Sequence, residues 1–147
     1  MMMGKKEIDG RYYLRGYVDS SPRQKNIYID FMIDTSQRYT TISKLDAEKN
    51  NIDLKSLDIE DGKFEIRNEK IDAYVFSNCN VNVPNQNDRA NYSLKLPKVY
   101  IPFHKLSASS LEADVSRLGL DFLENFSIEF QTLDLDRDQI IILEDKL

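Results

Sequence analysis

Histidine and cysteine each occur once in the 147 residues, at His104 and Cys79, and tryptophan does not occur at all. One cysteine allows neither an intrachain disulfide nor a thiolate metal cluster. One histidine removes Ser-His-Asp, Cys-His and His-rich zinc chemistry within a single chain, and both residues read as packing or surface positions. Positive charge is outnumbered and dispersed, with 20 Lys and Arg against 25 Asp and Glu. The formal net charge is -5, and Lys5-Lys6 is the longest type of Lys/Arg run present. A nucleic-acid groove needs a concentrated basic face, so nucleic acid is a poor partner for this chain. No apolar run approaches the length of a membrane span. The opening Met1-Met2-Met3-Gly4-Lys5-Lys6-Glu7 carries basic residues with no apolar stretch after them, unlike a signal peptide. A cytoplasmic protein with no membrane partner, no metal and no cofactor is expected.

What the chain has in quantity is alternation. Tyr12-Tyr13-Leu14-Arg15-Gly16-Tyr17-Val18 is rich in β-formers, and "SSPRQK" after it supplies turn chemistry. Ile27, Ile29, Phe31 and Ile33 then share one face while Tyr28, Asp30, Met32 and Asp34 share the other. This pair predicts an antiparallel hairpin. A two-turn helix is predicted near residues 44 to 50. Ser43 is its N-cap, Asp46 favours its positive end, and Asn50 and Asn51 can end it in a left-handed conformation. Further strands are expected in "KFEIR", "IDAYVFSNCNVNV", "YSLKLPKVYIPF", "SIEFQTL" and "QIIIL", with prolines marking an edge or irregular ends in the third. "PNQNDRAN" and "SASSLEADVSR" read as loops, the latter with a helical turn, and "LGLDFLENF" as a short amphipathic helix. No internal repeat or linker divides the chain, so one mostly-β domain with two small helices is expected, a size that buries a real core.

Asp34 stands out because a carboxylate at the end of a buried strand is costly unless it has partners. It can start a turn and bond nearby backbone N–H groups. Alternatively it is a catalytic carboxylate that shares one proton with a second carboxylate beside it. In that arrangement one member acts as base on a water and the protonated member polarises the scissile carbonyl. Without histidine chemistry or a metal site, this is the hydrolytic mechanism that the residue inventory can support.

Three landmarks in order then resemble the retropepsin-like aspartic peptidases. "FMIDTSQRYTTIS" is similar to their hydrophobic-hydrophobic-Asp-Thr/Ser-Gly-Ala stretch and the Ile-Ser that opens a helix. "NEKIDAYVFSNCNVNV" resembles the flap hairpin and the strand after it, and "LGLDFLENFSIEF" the second signature, with Gly119 and Asp121 at the matching positions. The resemblance covers about residues 11 to 143. It implies an all-β, small closed barrel-like acid-protease fold with one or two short helices, spanning 11–147 behind an N-terminal extension of residues 1–10. It also implies an aspartic endopeptidase active as a homodimer on a peptide or protein substrate. Asp34, Thr35 and Ser36 would form the catalytic loop, Asp34 would pair with its mate across a two-fold axis, and the Thr35 hydroxyl would bond to the partner loop.

The chain departs from the family pattern at definite places. Ser36 stands where the family has glycine, a residue used where backbone must approach another group closely. Gln37 and Arg38 replace small or acidic residues beside the substrate backbone, and the flap tip is Asn68-Glu69-Lys70 in place of a glycine-rich turn. These five residues are the candidate substrate contacts together with the catalytic loop. Gly62 is either a hinge at the flap base or a turn glycine. Two other functional readings stay open: a catalytically degenerate dimer that keeps its groove for peptide binding or assembly, and an unrelated β-domain with a structural Asp34.

Overall fold

The computed structural model describes residues 2–7, 10–20, 23–84, 91–106, 114–132 and 139–145. Within them the strands are β1 (Met2–Lys6), β2 (Tyr12–Ser20), β3 (Arg23–Ile33), β4 (Asp58–Ile66), β5 (Glu69–Pro84), β6 (Asn91–Pro102), β7 (Arg117–Leu118), β8 (Phe126–Thr132) and β9 (Gln139–Asp145). Two short helices, α1 (Lys44–Lys49) and α2 (Leu120–Leu123), and a 3-10 turn at Leu54–Ser56 complete the described elements. The predicted all-β architecture with short helices is therefore the observed one. All the strands join one sheet in the order β4-β5-β2-β1-β9-β8, with β3 on β2 and β7, and β6 on β5. The path has two ends and does not close on itself. No helix among the described residues is long and apolar enough to cross a membrane.

The alternation in the sequence sets the main hairpin. β2 and β3 pair antiparallel with Gly16 opposite Ile29 and Tyr17 opposite Tyr28, so Ile27, Ile29 and Phe31 point into the core and Tyr28 and Asp30 outward. β3 begins at Arg23, so most of the "SSPRQK" segment is strand, and the tip at residues 21 and 22 lies outside the described residues. Met2–Lys6, read from sequence as an extension ahead of the domain, forms β1 between β2 and β9, with Met2 buried in the core. The core gathers Leu14, Val18, Phe31, Val81, Val99, Leu118, Phe122 and Leu143 from most of the strands and α2. A smaller cluster of Ala73, Val75 and Tyr100, with Tyr39 and Phe64 against it, lies under the β4–β5 hairpin.

α1 forms where its caps predict. The Ser43 hydroxyl accepts the Asp46 N–H at 3.0 Å, and Asn51 ends the helix with a φ of 55°. β6 pairs with β5 along its length and bridges to Thr41 at Tyr100, and the register with β5 skips Asn78 opposite Pro97, where proline offers no N–H and Asn78 takes a φ of 52°. The irregularity expected of the proline-bearing strand thus has a local cause. The "LGLDFLENF" helix is shorter than predicted, because Leu118 is captured by β7 and Phe126 by β8. Residues 85–90 of the first expected loop and 107–113 of the second lie outside the described residues.

The hairpin tip requires a correction. Ile66 pairs with Glu69 and Glu65 with Lys70, so the two-residue turn is Arg67-Asn68, and Glu69 and Lys70 belong to β5. Both turn residues have positive φ, 52° and 64°, the geometry that right-handed strand twist favours in tight hairpins. Gly62, with φ 61°, sits at the register shift between Glu60 and Phe64, and its N–H donates to Asp72 Oδ1 at 2.7 Å. It lies at a β-bulge within β4 and not in a free turn. Arginine is ill suited to the left-handed region, so replacing Arg67-Asn68 by Asn-Gly is expected to stabilise the fold by about 1 kcal/mol. A rise in the urea midpoint at unchanged slope would be the observation to seek.

Candidate active site

β3 ends by running parallel to β7, with Met32 beside Arg117 and Ile33 beside Leu118. The Met32 N–H donates to the Ser116 carbonyl at 2.9 Å and the Asp34 N–H to the Leu118 carbonyl at 3.1 Å. Strand alternation puts Met32 and Asp34 on one face. The parallel register brings the Arg117 side chain to that same face, one step behind the carboxylate.

The carboxylate of Asp34 is held at both oxygens. The Ser36 hydroxyl donates to Oδ1 at 2.5 Å and the Ser36 N–H to the same oxygen at 3.0 Å. Arg117 Nη1 donates to Oδ2 at 2.8 Å, and the two side chains are only 13% and 10% exposed. Burial alone would raise the Asp34 pKa. The Ser36 hydroxyl, the Arg117 guanidinium and the Ser36 N–H outweigh it and hold the carboxyl below the ordinary aspartate value. Arg117 Nε is buried, with no hydrogen-bond partner among the described residues.

Ser36 itself is unstrained. The described non-glycine residues with positive φ are Asn51, Arg67, Asn68 and Asn78, so the place where the family uses glycine does not impose a glycine conformation here. Its side chain instead becomes a ligand of Asp34. Thr35 is exposed beside it.

The rest of the loop is fixed from the far side. Gly119 packs so tightly that a Cβ there would stand 2.5 Å from the Tyr39 carbonyl carbon and 2.9 Å from the Gln37 oxygen. The Thr40 hydroxyl donates to Asp121 Oδ1 at 2.6 Å and accepts the Gly119 N–H at 3.2 Å, while the Thr40 N–H donates to both Asp121 oxygens at 3.0 Å. The N–H groups of Leu120 and Asp121 donate to the carbonyls of Gln37 and Arg38 at 2.8 and 3.0 Å. Thr41 exchanges backbone hydrogen bonds with Arg117 at 2.8 and 2.9 Å. Ser116, fully buried, donates to Asp46 Oδ2 at 2.6 Å and accepts the Ser43 N–H at 2.9 Å, which ties β7 to the start of α1. Gly119 and Asp121 therefore organise the loop from behind.

A cavity of about 360 Å³ opens beside this loop, lined by Asp34, Ser36, Gln37, Arg38, Tyr39, Arg117 and Leu106 on one side and Lys63, Phe64, Glu65 and Ile66 of β4 on the other. Of the predicted contacts, Gln37 and Arg38 line it, although the Gln37 amide donates back to the Tyr39 carbonyl at 2.6 Å and Arg38 pairs with Glu124 at 2.6 Å. Asn68, Glu69 and Lys70 do not line it, since the arm of the hairpin, not its tip, faces the loop. Lys63 stands 4.1 Å from the centroid of the Tyr39 ring and 3.6 Å from Glu60, which fastens that arm. A larger cavity of about 540 Å³ lies elsewhere, against Lys5, Tyr13, Arg15 and Asp30, and holds no group of the Asp34 loop. Cys79 is buried, which pushes its thiol up to about 12 and leaves it inert.

Sequence reasoning missed Arg117, Thr40 and Ser116. The available signal for Arg117 was a charged residue between two short apolar pieces, next to Leu118-Gly119, in a chain whose Asp34 needed a partner.

No family model matches the chain, and no curated protein matches its sequence. Among solved structures it is similar to a retropepsin-like aspartic protease from Rickettsia conorii, with 23% identity over 97% of this chain and 88% of that one and a TM-score of 0.56. At that identity the likeness shows the fold, which is retropepsin-like.

Thr40→Val removes the donor on a half-buried carboxylate and the acceptor of the Gly119 N–H, so a loss of about 2–4 kcal/mol is expected in urea unfolding. Because the folded Asp34 pKa is depressed, its stabilising contribution is complete above the ordinary aspartate value. It is lost as pH falls below that value through the lower folded one. Asp34→Asn is expected to flatten that acid limb, as acid titrations of the two proteins would reveal.

Proposed function

We propose that the protein is an aspartic endopeptidase that acts as a homodimer, the Asp34 carboxylates of two subunits forming the catalytic pair. The observation that carries this reading is the position of Asp34, on a rigidly held loop in a cavity whose opposite wall is an arm of the β4–β5 hairpin. The retropepsin-like fold supports it, and a single Asp-Thr-Ser loop per chain calls for a two-fold axis to supply the second carboxylate. Thr35, exposed next to Asp34, is available to bond across that axis.

In the reaction, an extended peptide lies between the loop and the hairpin arm. The ionised carboxylate of the pair takes a proton from water as the water oxygen bonds to the scissile carbonyl carbon, and the protonated partner carboxyl hydrogen-bonds the carbonyl oxygen. The partner carboxyl's proton passes to the carbonyl oxygen to give a gem-diol, whose collapse breaks the C–N bond as the amine takes a proton from the pair and a diol hydroxyl returns one to it. One shared proton is essential, so the two carboxyls titrate as a unit.

Arg117 acts against retention of that proton, because a guanidinium at 2.8 Å favours the ionised form. The partner's like charge acts in the opposite sense. Both Arg117 and the Ser36 hydroxyl give specific support to a second reading, a dimer that binds peptide without cutting it, because each satisfies Asp34 without any mate.

The two readings separate in one experiment. Sedimentation establishes the dimer, and a diverse peptide mixture is incubated with it between about pH 3 and 7. Cleavage that falls at least about a hundredfold in Asp34→Asn is expected. A confirmed dimer that cuts nothing at any pH would leave the binding module. Since Arg117 favours loss of the shared proton, the alkaline limb of the kcat/KM profile is expected to move to higher pH in Arg117→Met.

A further inference from the structure

The wall of the cavity opposite Asp34 is made by consecutive residues of β4, Lys63, Phe64, Glu65 and Ile66. The ladder that should hold them is interrupted just before they begin. Glu60 pairs with Ala73 and Phe64 with Ile71, so residues 61–63 face Asp72 alone, with Gly62 at a positive φ. Past this break the arm keeps the pairs Phe64–Ile71, Glu65–Lys70 and Ile66–Glu69 before the turn at Arg67-Asn68. A two-stranded ribbon of that length is marginal by itself, so its position depends on what it rests against.

It rests on a fixed aromatic pair. Tyr100 is 2% exposed, its N–H donates to the Thr40 carbonyl at 3.2 Å, and its carbonyl accepts the Ile42 N–H at 2.8 Å. The Tyr39 backbone packs on Gly119, and its ring stands edge-on to that of Tyr100 with centroids 5.2 Å apart. Over both rings lies the Lys63 ammonium, 4.1 Å from the Tyr39 centroid and 4.9 Å from that of Tyr100. The Lys63 side chain is 23% exposed, so water only partly weakens the attraction of the cation for the ring faces. Glu60, which also pairs with Lys98 of β6, stands 3.6 Å from the ammonium. Phe64 adds an edge contact to Tyr100, centroids 5.8 Å apart.

We propose that Lys63 is a positioning residue for the groove: the contact of its ammonium with Tyr39 and Tyr100 holds the hairpin arm as a preformed wall facing Asp34. The wall is a property of the single subunit and does not depend on dimerisation, while its bearing on peptides rests on the groove common to both readings above. A peptide then meets an arm already in place, and binding carries no cost of ordering it. Lys63 touches no reacting atom in this role and acts through Phe64, Glu65 and Ile66.

Hydrogen exchange of the full chain, read by mass spectrometry, tests this. Lys63→Met keeps the apolar stem and loses the charge, and in it the amides of residues 64–71 are expected to exchange at least about fivefold faster, the factor that a partly desolvated cation–π contact gives, while those of β2 and β3 are unchanged. Lys63→Arg and Tyr39→Phe should keep wild-type rates, because each retains a cation over a ring. Tyr39→Leu should reproduce the loss, and takes the place of Lys63→Met if that variant does not fold. For a peptide that wild type cuts, KM is expected to rise about threefold or more in Lys63→Met with kcat within about twofold. Should wild type cut nothing, the peptidase reading fails and the exchange comparison alone decides the role of Lys63. Unchanged exchange in the arm, equal acceleration in β2 and β3, exchange in Lys63→Arg as fast as in Lys63→Met, or a KM that does not rise overturns the proposal.

Discussion

The contact on which the site depends is the one at Gly119, where the backbone of one segment lies against the carbonyls of Gln37 and Tyr39 with no room for even a methyl group. That closeness lets Leu120 and Asp121 donate to the loop carbonyls and lets Thr40 reach the Asp121 carboxylate. A loop of polar residues without a glycine of its own thereby acquires a rigid back wall. Rigidity matters because an error of about 1 Å in a catalytic group costs on the order of a hundredfold in rate.

Arg117 follows from the same topology. A two-residue strand that enters parallel to β3 just before Gly119 places its first residue beside Met32, facing the carboxylate two positions on. Whatever side chain stands there becomes the neighbour of Asp34. An apolar residue would leave the carboxylate partly buried, with Ser36 as its sole donor among the described contacts, and would raise its pKa. Arginine does the reverse. The fold fixes the position, and one residue choice decides the protonation state available at the site.

Much of this was legible in the order of residues, because it rests on local rules. The β2–β3 hairpin follows from strict alternation, α1 from Ser43 and the Asn pair, and the register break in β6 from Pro97. Where reading failed, the cause was mostly long-range. The hairpin tip is misplaced because Arg67, an unusual residue for the left-handed region, forms the tight turn with Asn68, and this puts Glu69 and Lys70 in the strand. Arg117 lies 83 residues from Asp34 and Thr40 lies 81 from Asp121, separations at which composition and period say nothing about contact. Ser36 was visible as a departure from a pattern, but its consequence was not, since an unstrained backbone and a hydroxyl turned back on Asp34 are properties of the folded loop.

Ser36 and Arg117 have to be considered together, because they act on opposite oxygens of one carboxylate. Each supplies a donor that a second Asp34 carboxyl would otherwise be suited to provide. A lone Asp34 is therefore already satisfied, and the free subunit has no unmet need at this atom that would drive association. Any pairing across a two-fold axis must derive its stability from other surfaces and must then tolerate two carboxylates, each held in its ionised form. Two like charges brought within a few ångströms in a water-poor site repel strongly unless one takes up a proton or cations stand between them. Arg117 is such a cation, so the residue that opposes protonation is also the one that makes the close approach of two carboxylates feasible. Assembly and catalysis at this site accordingly place opposed demands on a single guanidinium.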